Sequence, residues 1–447
     1  MKLAVTLSVL LWFTLAPWLV PAQSLQSTSA TETPAHQAAL KFMRGVNVGN
    51  YLEYAVGDPA RTVTYTAQDF SLIRAEGFDH VRIPVAWHLH TGSAPAFTVN
   101  NTIFTQADSL VNNARNAGLA VLIDLHHFKD YYANPNANAE KLYAIWRQVA
   151  AHYASFPATV AFELLNEPFG AATTSLVSQH YAEAIRQIRQ TNPNRTLFVG
   201  PSQYNSIDEL SKLSLPADDK NLIVTVHMYD PYYFTHQGAE WALPDTGTTG
   251  VIFPGPPAQA ITVNSRVDKT HTWVFDWFRD YNNRPASSNP SSASAFRGRL
   301  FRARSWSEFN GRPVHVGEFG CYTKYADATS RVNFYREIRK TMDEFGLGWA
   351  MWDWKAGFHY IKNGQPDPPD LREAMFPSAV LRISGKGTIE FAAAKGKTYA
   401  VEKALSLTEP ISWQLISTQT LTSPSFIFQD PETDRQSGAY YRVRWVK

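Results

Sequence analysis

Eight short β-rich runs, alternating with stretches of helical spacing, constrain this chain more than any other feature of its 447 residues. The runs are Phe42–Val48, His80–Val85, Leu119–His126, Thr159–Leu165, Thr196–Val199, Leu222–His227, Pro313–Val316 and Gly348–Trp352. Between them lie segments with apolar residues at helical intervals: Ala67–Glu76, Phe104–Ala117, Glu140–Tyr153, Val177–Gln190 and Arg331–Phe345. Strands that alternate with helices form a parallel sheet, because a parallel neighbour is reached only by a crossover. Eight such units predict closure into a (β/α)8 barrel, an α/β fold that takes about 250 residues or more.

The rest of the chain is of different texture. Lys2 and the apolar run Leu3–Val20, followed by Val20-Pro21-Ala22, read as a signal peptide cleaved after Ala22. The competing reading is a membrane anchor, but Pro17 shortens a run already near the spanning minimum of about 17 residues. No stable membrane insertion is therefore expected, and the mature protein is expected to be secreted or periplasmic. Residues 23–37, rich in Ser, Thr, Ala and Gln, predict a flexible spacer before a barrel over 38–377. Asp230 to Arg312 is too long for one βα connection and contains Phe253-Pro254-Gly255-Pro256-Pro257. Loops of that length are usually functional or disordered. After Pro377 the helical spacing stops, and short strands predict a small all-β module over 378–447.

Composition removes several functions. Charged residues are 18% of the chain and the formal net charge is +2, so nucleic acid, which selects a basic stripe, is not an expected partner. Cys321 is the only cysteine, so an internal disulfide is impossible and the core must supply the stability. The pairs His88/His90 and His126/His127 lack a third ligand at zinc spacing, and neither a metal nor another cofactor is expected. A monomer is expected.

Barrel enzymes place their chemistry where strands end. Glu167 follows the fourth run in Phe162-Glu163-Leu164-Leu165-Asn166-Glu167-Pro168, and Glu318 ends the seventh in Val316-Gly317-Glu318-Phe319-Gly320. Alone, Glu167 also reads as an ordinary strand-end turn, and Glu318 as a loop acid satisfying backbone amides. Together they supply the two carboxylates that glycosidic cleavage requires, one protonated and one ionised. Arg82 ends the second strand, Asp124 and His126 the third, His227 and Tyr229 the sixth, and Trp352 the eighth. Polar or aromatic groups thus converge on one rim. Glu163 falls deeper in the barrel and is given a structural role, as is Cys321. Trp241, Trp273 and Trp277 are candidates to flank a cleft, with core burial at least as reasonable for the last two.

With these motifs in order, the chain from Leu40 to Pro377 resembles glycoside hydrolase family 5, the cellulase family, and bacterial endoglucanases within it. Arg44-Gly45-Val46-Asn47-Val48-Gly49-Asn50 resembles the family's first-strand signature, and Phe234-Thr235-His236-Gln237-Gly238-Ala239-Glu240-Trp241 a segment of its bacterial members. The chain departs from the family at Tyr51, where many members carry Trp, and in the length of the segment after the sixth strand. The resemblance implies Glu167 as acid/base and Glu318 as nucleophile. It implies that Arg82 and Tyr229 orient Glu318, Asn166 meets the 2-hydroxyl, His126 and His227 line the subsite, and Trp352 is its stacking floor. The expected activity is retaining endo-β-1,4-glucan hydrolysis with a polysaccharide partner. Mannan, xyloglucan or mixed-linkage glucan, or binding without catalysis on the same barrel, are the alternatives.

Overall fold

The computed structural model describes residues 33–377, 380–384, 388–392, 398–406, 411–422, 425–430 and 439–446. Its centre is a closed barrel of eight parallel strands in sequence order. They are β1 (Arg44–Asn47), β2 (His80–Ile83), β3 (Ala120–Asp124), β4 (Val160–Glu163), β5 (Leu197–Val199), β6 (Leu222–His227), β7 (Val314–Glu318) and β8 (Gly348–Met351). Val46 pairs with Val81 on one side and Met351 on the other, which closes the ring. Most strands are shorter than their apolar runs, because residues such as Leu125 and Leu165 are buried after the ladder has ended.

Two-residue alternation divides each strand. Outward side chains such as Val81, Val121, Phe162, Val224 and Val316 pack under the helices with Phe70, Trp146, Tyr335 and Ile338. Inward positions are largely polar or small: Asn47, Arg82, Asp124 and Glu163 lie toward the strand ends, with His80 and His315 deeper.

The spacer expectation is corrected at its end. Pro34–Ala39 is a helix, started by Thr33, whose Oγ1 accepts from the His36 N–H, with Pro34 in its first turn. Its Ala35 joins Phe42, Leu122, Phe198 and Ile223 in a cluster at the barrel's N-terminal end. The sequence reading missed it because five small or polar residues carry no apolar spacing. Residues 1–32, including the expected leader, lie outside the described residues.

The Asp230–Arg312 segment is also more ordered than its composition suggested. It carries the helices Thr272–Asn283 and Ser294–Asn310, and buries Val251, Phe253 and Val267. Beyond Pro377, strands Val380–Ser384, Thr388–Ala392 and Ser425–Gln429 form one antiparallel sheet, and Gln414–Thr420, Thr398–Ala404 and Tyr440–Val446 another. Ile389, Phe391, Tyr399, Val401, Leu421 and Val443 form a core of their own. No helix among the described residues is long and apolar enough to cross a membrane.

Candidate active site

Arg82 organises the C-terminal end of the barrel. Its guanidinium is fully buried and donates to Glu163 through Nε at 2.7 Å and Nη2 at 2.9 Å. Nη1 donates to Glu318 Oε1 at 2.8 Å and to Asn47 Oδ1 at 3.0 Å, and Nη2 to Asn166 Oδ1 at 2.7 Å. Asp124 Oδ2 lies 2.7 Å from Nη2. A buried cation is tolerable only when paired. Here three carboxylates surround one cation, so negative charge is in excess, and burial pushes the Asp124 carboxyl up to about 6 against the pull of Arg82.

Glu318 reaches this cation because β7 breaks register. Alternation that points His315 and Gly317 inward would turn the next residue outward. A bulge between Val226 and His227 sets His227 opposite Glu318 and re-aims the carboxylate. Gly317 is required there, since a Cβ would sit 2.5 Å from Thr225 Oγ1. Glu318 Oε2 accepts from the Tyr229 hydroxyl at 2.9 Å.

Glu167 arrives differently. Its φ of +49° is left-handed, a conformation rare for Glu and maintained only by surrounding structure. Its N–H donates to Asn205 Oδ1 at 3.0 Å, and its Oε1 lies 2.8 Å from His227 Nδ1. Burial pushes both Glu167 and Glu318 up to about 7. Such a pair titrates as a unit. The shared proton belongs on Glu167, because Glu318 is held ionised by a cation and a hydroxyl, whereas Glu167 has only an imidazole. A carboxylate oxygen of each and a ring nitrogen of His227 lie within 4.8 Å of one another. That spacing would also suit a cation, but the Arg82 guanidinium already neutralises Glu318, and we assign no metal to the cluster.

The other predicted residues surround this pair. His126 Nδ1 lies 2.9 Å from Asp124 Oδ2, and its ring runs parallel to Trp352 at 11°, centroids 5.7 Å apart. Trp352 is half-buried against Gly49, where a Cβ would meet the indole at 2.8 Å. Asn166 is fully buried, with Oδ1 occupied by Arg82 and its backbone carbonyl by the Tyr132 hydroxyl. All eight residues singled out from the sequence, Arg82, His126, Asn166, Glu167, His227, Tyr229, Glu318 and Trp352, thus meet at one end of the barrel.

Several neighbours fell elsewhere. Glu163 is buried against Arg82. Cys321 is buried and its thiol is pushed up to about 12, which suits packing and not nucleophilic attack. His88 stacks on Phe128, and burial pushes it down to about 3. Trp273, for which burial was equally expected, is 55% exposed and lies on His271. Trp277 is half-buried on Tyr281, and Trp241 is exposed beside Tyr322. Asn205 was missed, because nothing in the sequence marks its contact with Glu167.

Comparison with known proteins identifies the family. Residues 45–357 match the model of the family described as cellulase (glycosyl hydrolase family 5). Endoglucanase 3 of Fibrobacter succinogenes is 30% identical over 78% of this chain and 55% of its own length. Endoglucanase H of Acetivibrio thermocellus is 30% identical over 73% of this chain but only 31% of its own length. The chain thus spans about half or less of these two relatives. Among solved structures, endoglucanase Cel5A of the hyperthermophile Thermotoga maritima superposes with a TM-score of 0.66 at 30% identity, over 77% of this chain and 100% of that one. The chain belongs to glycosyl hydrolase family 5, the cellulase family.

Proposed function

We propose that this protein is a secreted or periplasmic retaining endo-β-1,4-glucanase. The observation that carries the reading is the asymmetric pair: carboxylate oxygens of Glu167 and Glu318 within 4.8 Å, with Arg82 and Tyr229 on Glu318 alone. Retaining enzymes hold their carboxyl groups about 5–5.5 Å apart, whereas inverting ones leave about 6.5–9.5 Å for a water. In the first step Glu318 bonds to the anomeric carbon while the glycosidic C–O bond breaks and Glu167 gives its proton to the leaving oxygen. In the second, Glu167 takes a proton from water, whose oxygen bonds to the same carbon and releases Glu318. Tyr229 and Arg82 hold the departing carboxylate in place. Trp352 offers a ring face to the sugar.

The names of the endoglucanase relatives support the glucan assignment. A second reading has its own support, since the Thermotoga maritima protein has been solved with mannotriose as well as cellobiose. Export rests on the leader-like residues 1–22. Proton NMR of the first-formed product, run on cellulose oligomers and on mannan, xyloglucan and mixed-linkage glucan, tests the proposal. β-Anomer released fastest from a β-1,4-glucan is expected. First-formed α-anomer rejects the retaining step, and faster release from mannan favours the second reading.

A further inference from the structure

One of the side chains that hold Glu167 lies outside the set that the family resemblance supplies: Asn205, which meets its backbone N–H. Asn205 follows β5 in a left-handed turn, with φ of +54° at Gln203, +61° at Tyr204 and +55° at Asn205. The turn is tied to the Glu167 loop: the Tyr204 N–H and the Ser202 hydroxyl both donate to the Pro168 carbonyl, each at 3.2 Å. Asn205 itself is fully buried, and its amide fills the space that a Cβ on Gly200 would take, with Nδ2 2.6 Å from that position.

The orientation of this amide is fixed chemically. The Glu167 N–H needs an acceptor, so the end that meets it at 3.0 Å is Oδ1. The other end, Nδ2, carries only protons and lies 3.5 Å from His227 Nε2. A donor facing Nε2 makes that nitrogen the acceptor, which leaves the imidazole proton on Nδ1. Nδ1 lies 2.8 Å from Glu167 Oε1. A parallel arrangement stands beside it. Asn166 gives Oδ1 to Arg82, turns Nδ2 to His126 Nε2 at 3.4 Å, and His126 Nδ1 meets Asp124.

We infer that Asn205 is a positioning residue that fixes His227 as its Nδ1–H tautomer, so that the imidazole donates to Glu167 and cannot take its proton. The inference rests on Glu167 being the acid/base. With the tautomer fixed, the carboxyl proton has one exit, through the oxygen that faces substrate. After the first step the Nδ1–H steadies the carboxylate until water returns a proton. Charged and titratable groups around the pair are Arg82 from β2, Asp124 from β3, Glu163 from β4, Glu318 from β7, the imidazoles of His126, His127 and His315, and the hydroxyls of Tyr132, Tyr204, Tyr229 and Tyr232. None of these faces His227 Nε2 as a hydrogen-bond donor; Asn205 does.

Two substitutions separate the roles of the amide. Asn205→Asp keeps an acceptor for the Glu167 N–H but turns an acceptor toward Nε2. Asn205→Gly removes both contacts and keeps the left-handed backbone without strain. The direct readout is the nitrogen chemical-shift pattern of His227 in histidine-labelled enzyme. Wild type should show protonated Nδ1 and bare Nε2 between pH 6 and 8, and Asn205→Asp should show a protonated Nε2. In Asn205→Gly, a free Nδ1 lone pair can accept from the Glu167 carboxyl, so the alkaline limb of the kcat/KM profile should move upward. Loss of positioning should cost roughly tenfold to a hundredfold in kcat. A protonated Nε2 in the wild type, or an unmoved alkaline limb with unchanged kcat in Asn205→Gly, overturns the inference. The underlying assignment is checked separately with Glu167→Ala on an aryl glycoside. Azide rescue there, alongside an unmoved Asn205→Gly profile, condemns the Asn205 role alone. Absence of rescue condemns the acid/base assignment instead.

Discussion

At the C-terminal end of the strands Arg82 is met by three carboxylates and two amide oxygens, whereas at the other end His315, also buried on the same inner surface, has no partner for either ring nitrogen among the described residues. His315 sits instead among rings, 5.2 Å from His80 and 5.5 Å edge-on from Phe198, with Phe42 against His80. The difference follows from charge. A guanidinium keeps its proton and must be compensated where it is buried. An imidazole can shed its proton and serve as a flat, nearly apolar ring. Burial accordingly pushes His315 well below its ordinary value.

The catalytic carboxyls and His315 therefore respond to pH with opposite sign. Glu167 and Glu318 are raised from 4.5 to about 7, so the native state binds more protons than the unfolded chain within that window. Stability from these groups falls as pH rises from the unfolded value through the folded one. His315 is lowered from 6.5, so below that value the unfolded chain binds the extra proton and stability falls as pH falls.

The largest effect should come from Glu318→Gln. An amide cannot form the glycosyl ester, and turnover should drop by several kcal/mol of barrier, roughly a thousandfold or more. Arg82 keeps Glu163 and Asp124 as partners, so circular dichroism should report an intact fold. A variant that retained a sizeable fraction of the wild-type rate on a natural glucan would remove Glu318 from the chemistry and, with it, the contrast between the two ends.

Trp352→Ala should do less. The ring packs over Gly49 and runs parallel to His126, and its loss removes a stacking face without touching either carboxylate. Aromatic contacts are worth about 0.5–1.5 kcal/mol beyond area burial, which corresponds to roughly a tenfold fall in kcat/KM. An unchanged kcat/KM would make Trp352 a packing residue.

The sequence disclosed the barrel and most of its rim because both are written in local patterns. Apolar runs of strand length alternate with helices, and Arg82, Glu167 and Glu318 each stand where a run stops. What stayed hidden depends on the third dimension. The bulge that turns Glu318 inward is a two-strand property of β6 and β7. Asn205 acts on a residue 38 positions earlier, through one amide. The helix Pro34–Ala39 is held by Thr33 and by burial of Ala35, neither of which gives a periodic signal. Nothing in the sequence sets His315 apart, and the lack of a partner for its ring among the described residues became visible only with its neighbours in place.

The smallest effect on catalysis should come from His315→Leu, which sharpens the comparison most. Leu has about the volume of His and, like the neutral ring it replaces, is apolar, so the packing against Phe198 should survive. The residue packs on His80 and Phe198, away from the strand ends that carry the catalytic pair, and kcat/KM at neutral pH should stay within about twofold of wild type. The change appears in acid. One unit below the unfolded value, a histidine kept neutral in the native state costs about 1.4 kcal/mol of stability, and the variant should be spared that loss. His88, His126, His127 and His236 are also lowered by burial, so the variant keeps their share of the acid decline. Denaturant titrations near pH 7.5 and pH 5.5 on both proteins isolate the difference. If the two proteins lose stability equally between those pH values, His315 is protonated in the native barrel, and its ring must have a partner at the N-terminal end after all.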